Sequence, residues 1–383
     1  GPVIEVSGDT GAIIASVRSG PVRMTDVAYN STDAEWLVVW DEQFGANVDD
    51  YDVFLQRISA DGALIGGALT ISASIQMDAE PTISYAANVN RCLVVWRQDP
   101  GVTTGVNDQL ILGRVLSGSG ASLVGPFVVD NPQGQQFAPS AAFDGTRWYV
   151  VASDVHSGNW DIVGRFVSTD GVPGTIADPD TAADHAERPS VDFAGGVYCV
   201  AWEKGPDGAH AIVARTVNPD GTFASAITTV TVTGSENRQV DVSAGDGLFL
   251  FTWQRHDAAG PKDIYARIAT SALAFQTGEI PANTTPGNER TPRAAFSTLN
   301  HQWFVVYSEP KSGNLELYGT RIATNGTFFS HERLTTNSGA DRRAEIAYNP
   351  AKNEMLVAHV FGATPPFRVR AVRWSMDYTA PVA

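Results

Sequence analysis

The chain has 383 residues, 43% of them hydrophobic and 18% charged, and its formal charge is −16. Its apolar runs fall short of the roughly 20 residues that span a bilayer, and its acidity opposes phosphate backbones and anionic membranes. Membrane insertion and a nucleic-acid partner are thereby set aside, whereas an acidic surface suits solubility or the holding of cations.

Gly1-Pro2 reads as a scar left by a tag-removing protease, so a native leader could have preceded it. VIEV, Val3 to Val6, finds no place in the scheme that follows. DTGAIIASVRSG, Asp9 to Gly20, resembles ADGALIGGALTIS at Ala60 to Ser72. A short apolar strand then recurs: WLVVW ending at Trp40, LVVW at Trp96, YVVA at Ala152, CVAW at Trp202, LFTW at Trp253, FVVY at Tyr307 and LVAH at His359. The intervals are 56, 56, 50, 51, 54 and 52 residues, a period that belongs to propellers, solenoids and arrays.

One unit, Glu187 to Val230, shows what repeats. It holds four strand-like runs, PSVDFA, VYCVAW, HAIVARTV and FASAITTV, separated by the turn sequences FAGG, KGPDG and NPDG. No helical stripe of useful length interrupts them. Four short antiparallel strands per unit predict the blade of a β-propeller. The second run is apolar at nearly every position, as expected for a strand covered on both faces by neighbouring blades.

The expected fold is all-β: one seven-bladed propeller over residues 3–379, with blades at 22–72, 79–130, 137–180, 187–232, 238–281, 291–335 and 343–376. The last unit ends after FRVRAVRW and lacks a fourth run. Residues 9–20 are expected to supply it as the outer strand, which would remove two exposed sheet edges. Each third run carries an arginine (Arg57, Arg114, Arg165, Arg215, Arg267, Arg321 and Arg373). An active site rarely needs seven copies of one residue, so these read as structural links between blades, with Asp161 and Asp263 of the D-I-x-x-R pattern as partners. Cys92 and Cys199 lie in units separated by another, so each reads as a small buried apolar residue.

The third-to-fourth turns (SADG, STDG, NPDG, TNG) look purely structural. The opposite face is more varied. Its connections carry Glu80, Gln136, Arg188, Arg238, Arg290, Arg342 and Arg343, and its second-to-third loops run from DEQFGANVDDYD to VFGATPPF. A concave mouth of mixed charge is where a ligand is expected; the alternative is that these charges pair among themselves. Eight of the nine tryptophans stand in repeat register and read as core. Trp160, in SDVHSGNWD, does not, and is expected in a loop either stacking on a sugar ring or covering the neighbouring blade. His156 and Phe44 are weaker candidates of the same kind.

Asp41, Glu42, Asp49, Asp50 and Asp52 crowd into one loop and could hold calcium, although without EF-hand spacing a solvated acidic loop is the alternative. The seven histidines include no HExxH and no close pair, so no zinc motif is read. Nucleophile-elbow, P-loop and dinucleotide patterns are absent. Glu203, Glu309 and Asp41 could face one another as paired carboxylates. A lyase would need a base with an arginine to neutralise a uronate, and His256, His156, Arg188 and Arg238 could serve.

The unit carried by PTISYAANVNRCLVVW, PSAAFDGTRWYVVA, DIVGRFVSTDG and AIVARTVNPDG resembles propeller repeats of exported bacterial proteins. The resemblance covers nearly the whole chain, departs at Ala152 and His359, and implies a propeller at the cell surface or outside the cell. Such proteins include adhesins, lectins and carbohydrate-active enzymes. The leading expectation is a non-catalytic binding or adhesion module recognising a glycan or protein on the charged face. The alternatives are a lyase-type polysaccharide-degrading enzyme acting at the channel mouth and a structural spacer.

Overall fold

A computed structural model describes residues 12–14, 22–43, 50–99, 109–130, 134–156, 158–182, 184–231, 235–257, 260–311, 313–329, 331–336, 339–362 and 367–377. Every helical or strand element among them is a strand. They form five four-stranded antiparallel sheets and one of eight strands. The eight-stranded sheet runs from Val22–Asn30 to Ser122–Asp130 and contains two four-stranded meanders. A single parallel bridge, Tyr51 to Met77, joins them where the repeat draws a boundary.

The second strand of each unit is buried as its composition requires. Glu35–Gln43 is buried at every position, and Val197–Lys204 at all but its ends. Each apolar core is shared by two sheets. Tyr149, Ile162 and Phe166 pack with Val191, Tyr198 and Trp202; Cys199 and Ile212 pack with Val240, Phe249 and Trp253. Val38, Trp40 and Phe54 of the first sheet pack with Leu356, Ala358 and Val369 of the last. The first strands of successive units lie side by side, and the last of them lies beside the first. Burial on both faces explains why one apolar strand recurs.

Residues 12–14 pair antiparallel with Val369–Ala371, so the N-terminal segment forms the outer strand of the last sheet. The rest of the expected 9–20 strand, and VIEV, lie outside the described residues. The D-G turns place Gly62, Gly171 and Gly221 at φ of 89°, 73° and 90°, backbone that a side chain would strain. Of the repeated arginines, Arg215 donates to the Pro179 carbonyl at 3.0 Å, Arg267 to that of Val230 at 2.6 Å, Arg321 to that of Met376 at 2.9 Å and Arg373 to that of Ala60 at 2.6 Å. These carbonyls belong to neighbouring sheets. Arg165 pairs with Asp130 at 3.1 Å, Arg57 with Glu35 of its own sheet at 2.7 Å, and Arg114 is half-buried.

One device has no counterpart in the turn sequences. The first strands carry a register shift, and in six of them a non-glycine residue at the shift has positive φ: Glu80, Ala138, Arg188, Gln239, Thr291 and Arg343. Such backbone costs on the order of 1 kcal/mol each. It turns an N–H out of the ladder toward the preceding sheet, where a side chain accepts it. Glu80 N–H reaches Asp41 at 3.1 Å, Arg188 N–H reaches Ser153 Oγ at 2.8 Å, and Gln239 N–H reaches Glu203 Oε1 at 2.7 Å.

Candidate functional site

With the two meanders of the eight-stranded sheet numbered as the first and second sheets, the polar cluster with the most chemistry among the described residues lies where the fourth sheet meets the fifth. The fourth holds Ala186–Ala194, Val197–Lys204, Ala211–Val217 and Thr228–Thr229; the fifth begins with Glu236–Gly245 and Leu248–His256. Glu187 starts a first strand, Glu203 ends the second strand beside it, and His210 precedes the third. Glu236 and Arg238 start the next first strand, and His185 stands in the connection leading into the fourth sheet. All of these belong to the loop-rich end expected to carry a ligand.

Arg238 is the hub. Its Nη1 donates to Glu187 Oε1 at 2.7 Å and to Glu203 Oε2 at 3.3 Å, its Nε to Glu236 Oε1 at 2.6 Å, and its Nη2 to Asp207 at 2.7 Å. Against the cost of burial, the bond to Glu236 and the charges of Glu203 and Glu187 hold its proton more firmly than usual. Arg188 approaches Glu203 at 3.6 Å and Glu187 at 3.9 Å, with 42% of its side chain exposed. Four carboxylates thus face two guanidinium groups. Glu203 is fully buried, and desolvation pushes its carboxyl up to about 7 despite Arg188 and the Gln239 N–H.

His210 is fully buried. Glu236 accepts its backbone N–H at 2.8 Å and lies 3.1 Å from its ring Nδ1. The opposite nitrogen, Nε2, has no hydrogen-bond partner and stands 3.6 Å from Glu187 Oε1. His185 Nε2 is likewise buried without a partner. One ligand atom from each of His185, Glu187 and His210 lies within 4.8 Å of the others, so this trio can hold a metal ion.

Trp160 closes the cluster, and its setting corrects the sequence reading. It is the second residue of the strand Asn159–Ser168 rather than part of a loop. It packs edge-on to Phe137 at 5.4 Å and to His185 at 4.2 Å between ring centroids. A hairpin as tight as His156 to Asn159 carries the strand pairing through to it. His185 and His210 follow at 5.5 Å.

Of the other expected residues, Arg188, Arg238 and Glu203 are brought together here, and His256 lies opposite Glu236 on the neighbouring strand. Glu80 accepts the Ala138 N–H at 2.7 Å and pairs with Arg97 at 3.6 Å in another sheet. Arg290 is exposed, and Arg342 lies over Phe367 at 5.5 Å. Asp41 is fully buried, and both its oxygens accept backbone N–H groups, from Arg23 at 2.9 Å, Met24 at 2.8 Å and Glu80 at 3.1 Å. Asp50 and Asp52 are also buried, and Asp52 lies opposite Glu42 in the strand pairing. Phe44, Asp49 and the side chain of His156 lie outside the described residues. Glu309 accepts from Asn283 at 3.0 Å in the sixth sheet, so Asp41, Glu203 and Glu309 serve three separate neighbourhoods.

His185, Glu187, His210 and Glu236 were missed by motif spacing. The legible signal was the pair His185-x-Glu187 at the mouth of an extended segment, because residues two apart in a strand point to the same side.

No protein-family profile and no curated protein sequence matches the chain. Solved structures do. A polysaccharide lyase, an ulvan lyase, superposes with a TM-score of 0.63 at 11% identity, covering 96% of this chain and 96% of that one. An oligogalacturonate lyase in complex with manganese gives 0.57 at 10% identity, covering 98% and 96%. A Trypanosoma rangeli sialidase in complex with the inhibitor DANA gives 0.52 at 9% identity, covering 97% of this chain and 59% of that one. The likeness is one of fold, shared with propeller-like lyases and sialidases. It corrects the leading expectation of a non-catalytic adhesion module, because the solved structures that share this fold are enzymes. No helix among the described residues is long and apolar enough to cross a membrane.

Proposed function

We propose that the protein is a seven-bladed propeller enzyme that cleaves an acidic polysaccharide by elimination at the junction of the fourth and fifth sheets. The blade count takes the eight-stranded sheet as two blades held by the Tyr51–Met77 bridge. The observation that carries the reading is Arg188, a guanidinium 42% exposed at the mouth of a buried acid–histidine cluster. It is placed to receive a uronate carboxylate, while Arg238 is engaged by its four acids.

In this reaction a base takes the proton at C5 of the uronic acid, the C4–O4 bond breaks, and a C4=C5 double bond forms. The proton returns to the departing O4, and no water or oxidant is consumed. His185 and His210 are turned toward Glu187, which leaves His256, half-buried on the neighbouring strand, as the imidazole for the proton. Arg188 stabilises the charge that develops on the carboxylate, and Trp160 forms an apolar wall for a sugar ring. The carboxylates of Asp50 and Asp52 remain oxygen donors of the kind calcium takes, apart from this chemistry. A polymeric substrate fits an extracellular or cell-surface location.

The test is incubation with uronic-acid polysaccharides and neutral controls, followed by ultraviolet absorbance of the unsaturated end and by mass analysis. Unsaturated products from acidic polymers alone, reduced at least 100-fold in Arg188→Ala, are expected. Products that have gained water, or no product from any acidic polymer, would overturn the reading.

A further inference from the structure

We propose that His185, Glu187 and His210 bind one divalent transition-metal ion of the zinc class through the two Nε2 atoms and a carboxylate oxygen.

Three features converge. The first is the donor set. Two imidazoles and one carboxylate are ligands that zinc and its neighbours accept, and that calcium, which takes oxygen, does not favour. The second is the spacing. Bonds of about 2.1 Å at a tetrahedral ion separate ligand atoms by about 3.4 Å, and His210 Nε2 already stands 3.6 Å from Glu187 Oε1. The whole trio, within 4.8 Å, needs a contraction that His185 can supply, since it is not fully buried.

The third is the second layer. Glu236 grips His210 at both its backbone N–H and its ring Nδ1. A carboxylate on Nδ1 places the proton there and leaves Nε2 as a lone pair, the arrangement that orients metal-bound histidines. That lone pair is fully buried and accepts nothing, a costly condition unless a cation fills it. The charge agrees: the acids Glu187, Glu203, Glu236 and Asp207 outnumber Arg188 and Arg238, an excess that favours a cation. With three protein ligands, the ion would keep an open position.

Metal binding is sought by titration rather than turnover, so its failure and the failure of the lyase reading are distinguishable. The chelator-stripped protein is titrated with cobalt(II), with zinc as competitor and calcium as control. One equivalent per chain is expected, with visible d–d absorption that zinc abolishes and calcium leaves. His185→Gln and His210→Gln should each weaken binding at least 100-fold, and Glu236→Gln about 10- to 100-fold. His301→Gln, at an exposed histidine paired with Asp246, should change nothing. Should His210→Gln not fold, the half-exposed His185→Gln carries the test. Absence of cobalt binding overturns the site and leaves His210 as a link between Glu236 and Glu187. Binding that survives both histidine substitutions overturns it too.

Discussion

Two regions of this molecule carry more acid than base, and they resolve the imbalance differently. Among the first strands, Asp26, Asp241 and Glu345 share Arg293. At the loop-rich end, Glu187, Glu203, Glu236 and Asp207 share Arg238, with Arg188 nearby. In the first region Asp26 and Asp241 are also tied to backbone. Asp26 accepts Thr82 Oγ1 at 2.6 Å and the N–H groups of Ile83 at 2.8 Å and Val27 at 2.7 Å. Asp241 accepts Ser190 Oγ at 3.1 Å and the Ala294 N–H at 2.8 Å. All of these bonds but that of Val27 stitch one first strand to another. In the second region an imidazole nitrogen is left with nothing to accept and an arginine is left half free. The first is a clasp of the fold, and the second has capacity for a ligand.

Removing the central cation should break the clasp. Arg293 donates its Nε to both oxygens of Glu345, at 2.8 and 3.0 Å, and its charge reaches Asp241 and Asp26. Arg293→Met leaves three carboxylates without a counter-charge and should cost about 4 kcal/mol in urea unfolding. A loss below about 1 kcal/mol would show that water already screens the strands' inner faces.

The clasp should also set a pH dependence. Burial, against the opposing charge of Arg293, pushes the Glu345 carboxyl up to about 8 from its ordinary 4.5, and Asp26 and Asp241 are raised as well. A carboxyl whose folded affinity for the proton is raised gives stability that is complete below the ordinary value and lost as pH climbs through the folded one. Stability should therefore fall between pH 5 and pH 8 by about 3 kcal/mol from this coupled group. Glu345→Gln should flatten that fall relative to the native chain. The comparison with the variant is needed because Asp192, pushed up by burial to about 6, and Glu289, to about 7, titrate in the same window.

Much of the clasp's architecture, but little of its wiring, could be read from the sequence. Trp40, Trp96, Trp202 and Trp253 announce a strand buried on both faces, and D-G turns mark the outer hairpins, because burial and positive φ select residue types. The bulges at Glu80, Ala138, Arg188 and Gln239 left no such mark: tertiary hydrogen bonds hold ordinary residues there against their preference. The bridge from Tyr51 to Met77 is backbone pairing and has no side-chain signature. At the site, Arg188, Arg238 and the loop-rich face were legible because charges at connections have nowhere else to point. His185 and His210 were not, being 25 residues apart and joined only by the hairpin between them.

The site's own hub tests the other half of the contrast. Arg238→Met removes the cation from four carboxylates, yet the cluster opens to solvent on one side, where Asp207 is 86% exposed. The loss should be about 2 kcal/mol, smaller than at Arg293. If the histidine trio takes a divalent ion, zinc should restore stability here, by about 2.7 kcal/mol at a hundredfold excess over its dissociation constant. Zinc should raise the stability of Arg293→Met only by as much as it raises that of the native chain, because its trio is untouched. Arg238→Met should gain more at the same zinc concentration, since loss of the guanidinium charge tightens binding of the cation. Equal increments in Arg238→Met and Arg293→Met, or none in either, in thermal unfolding with and without zinc would erase the distinction.

The smallest expected effect is the sharpest discriminator. Asp207→Asn removes one acid from Arg238 without touching burial, because that carboxylate stands in water. Its pair with Arg238 is of the exposed kind that contributes little, since screening and the ordering of two side chains offset the attraction. The unfolding midpoint should not move measurably. Cobalt affinity should nevertheless fall severalfold at low salt and recover toward the native value at high salt, because the lost charge acts on the ion through space. Such a charge is screened over a Debye length of roughly 10 Å at 0.1 M. A structural role for Asp207 would lower the midpoint and leave the salt dependence of metal binding unchanged.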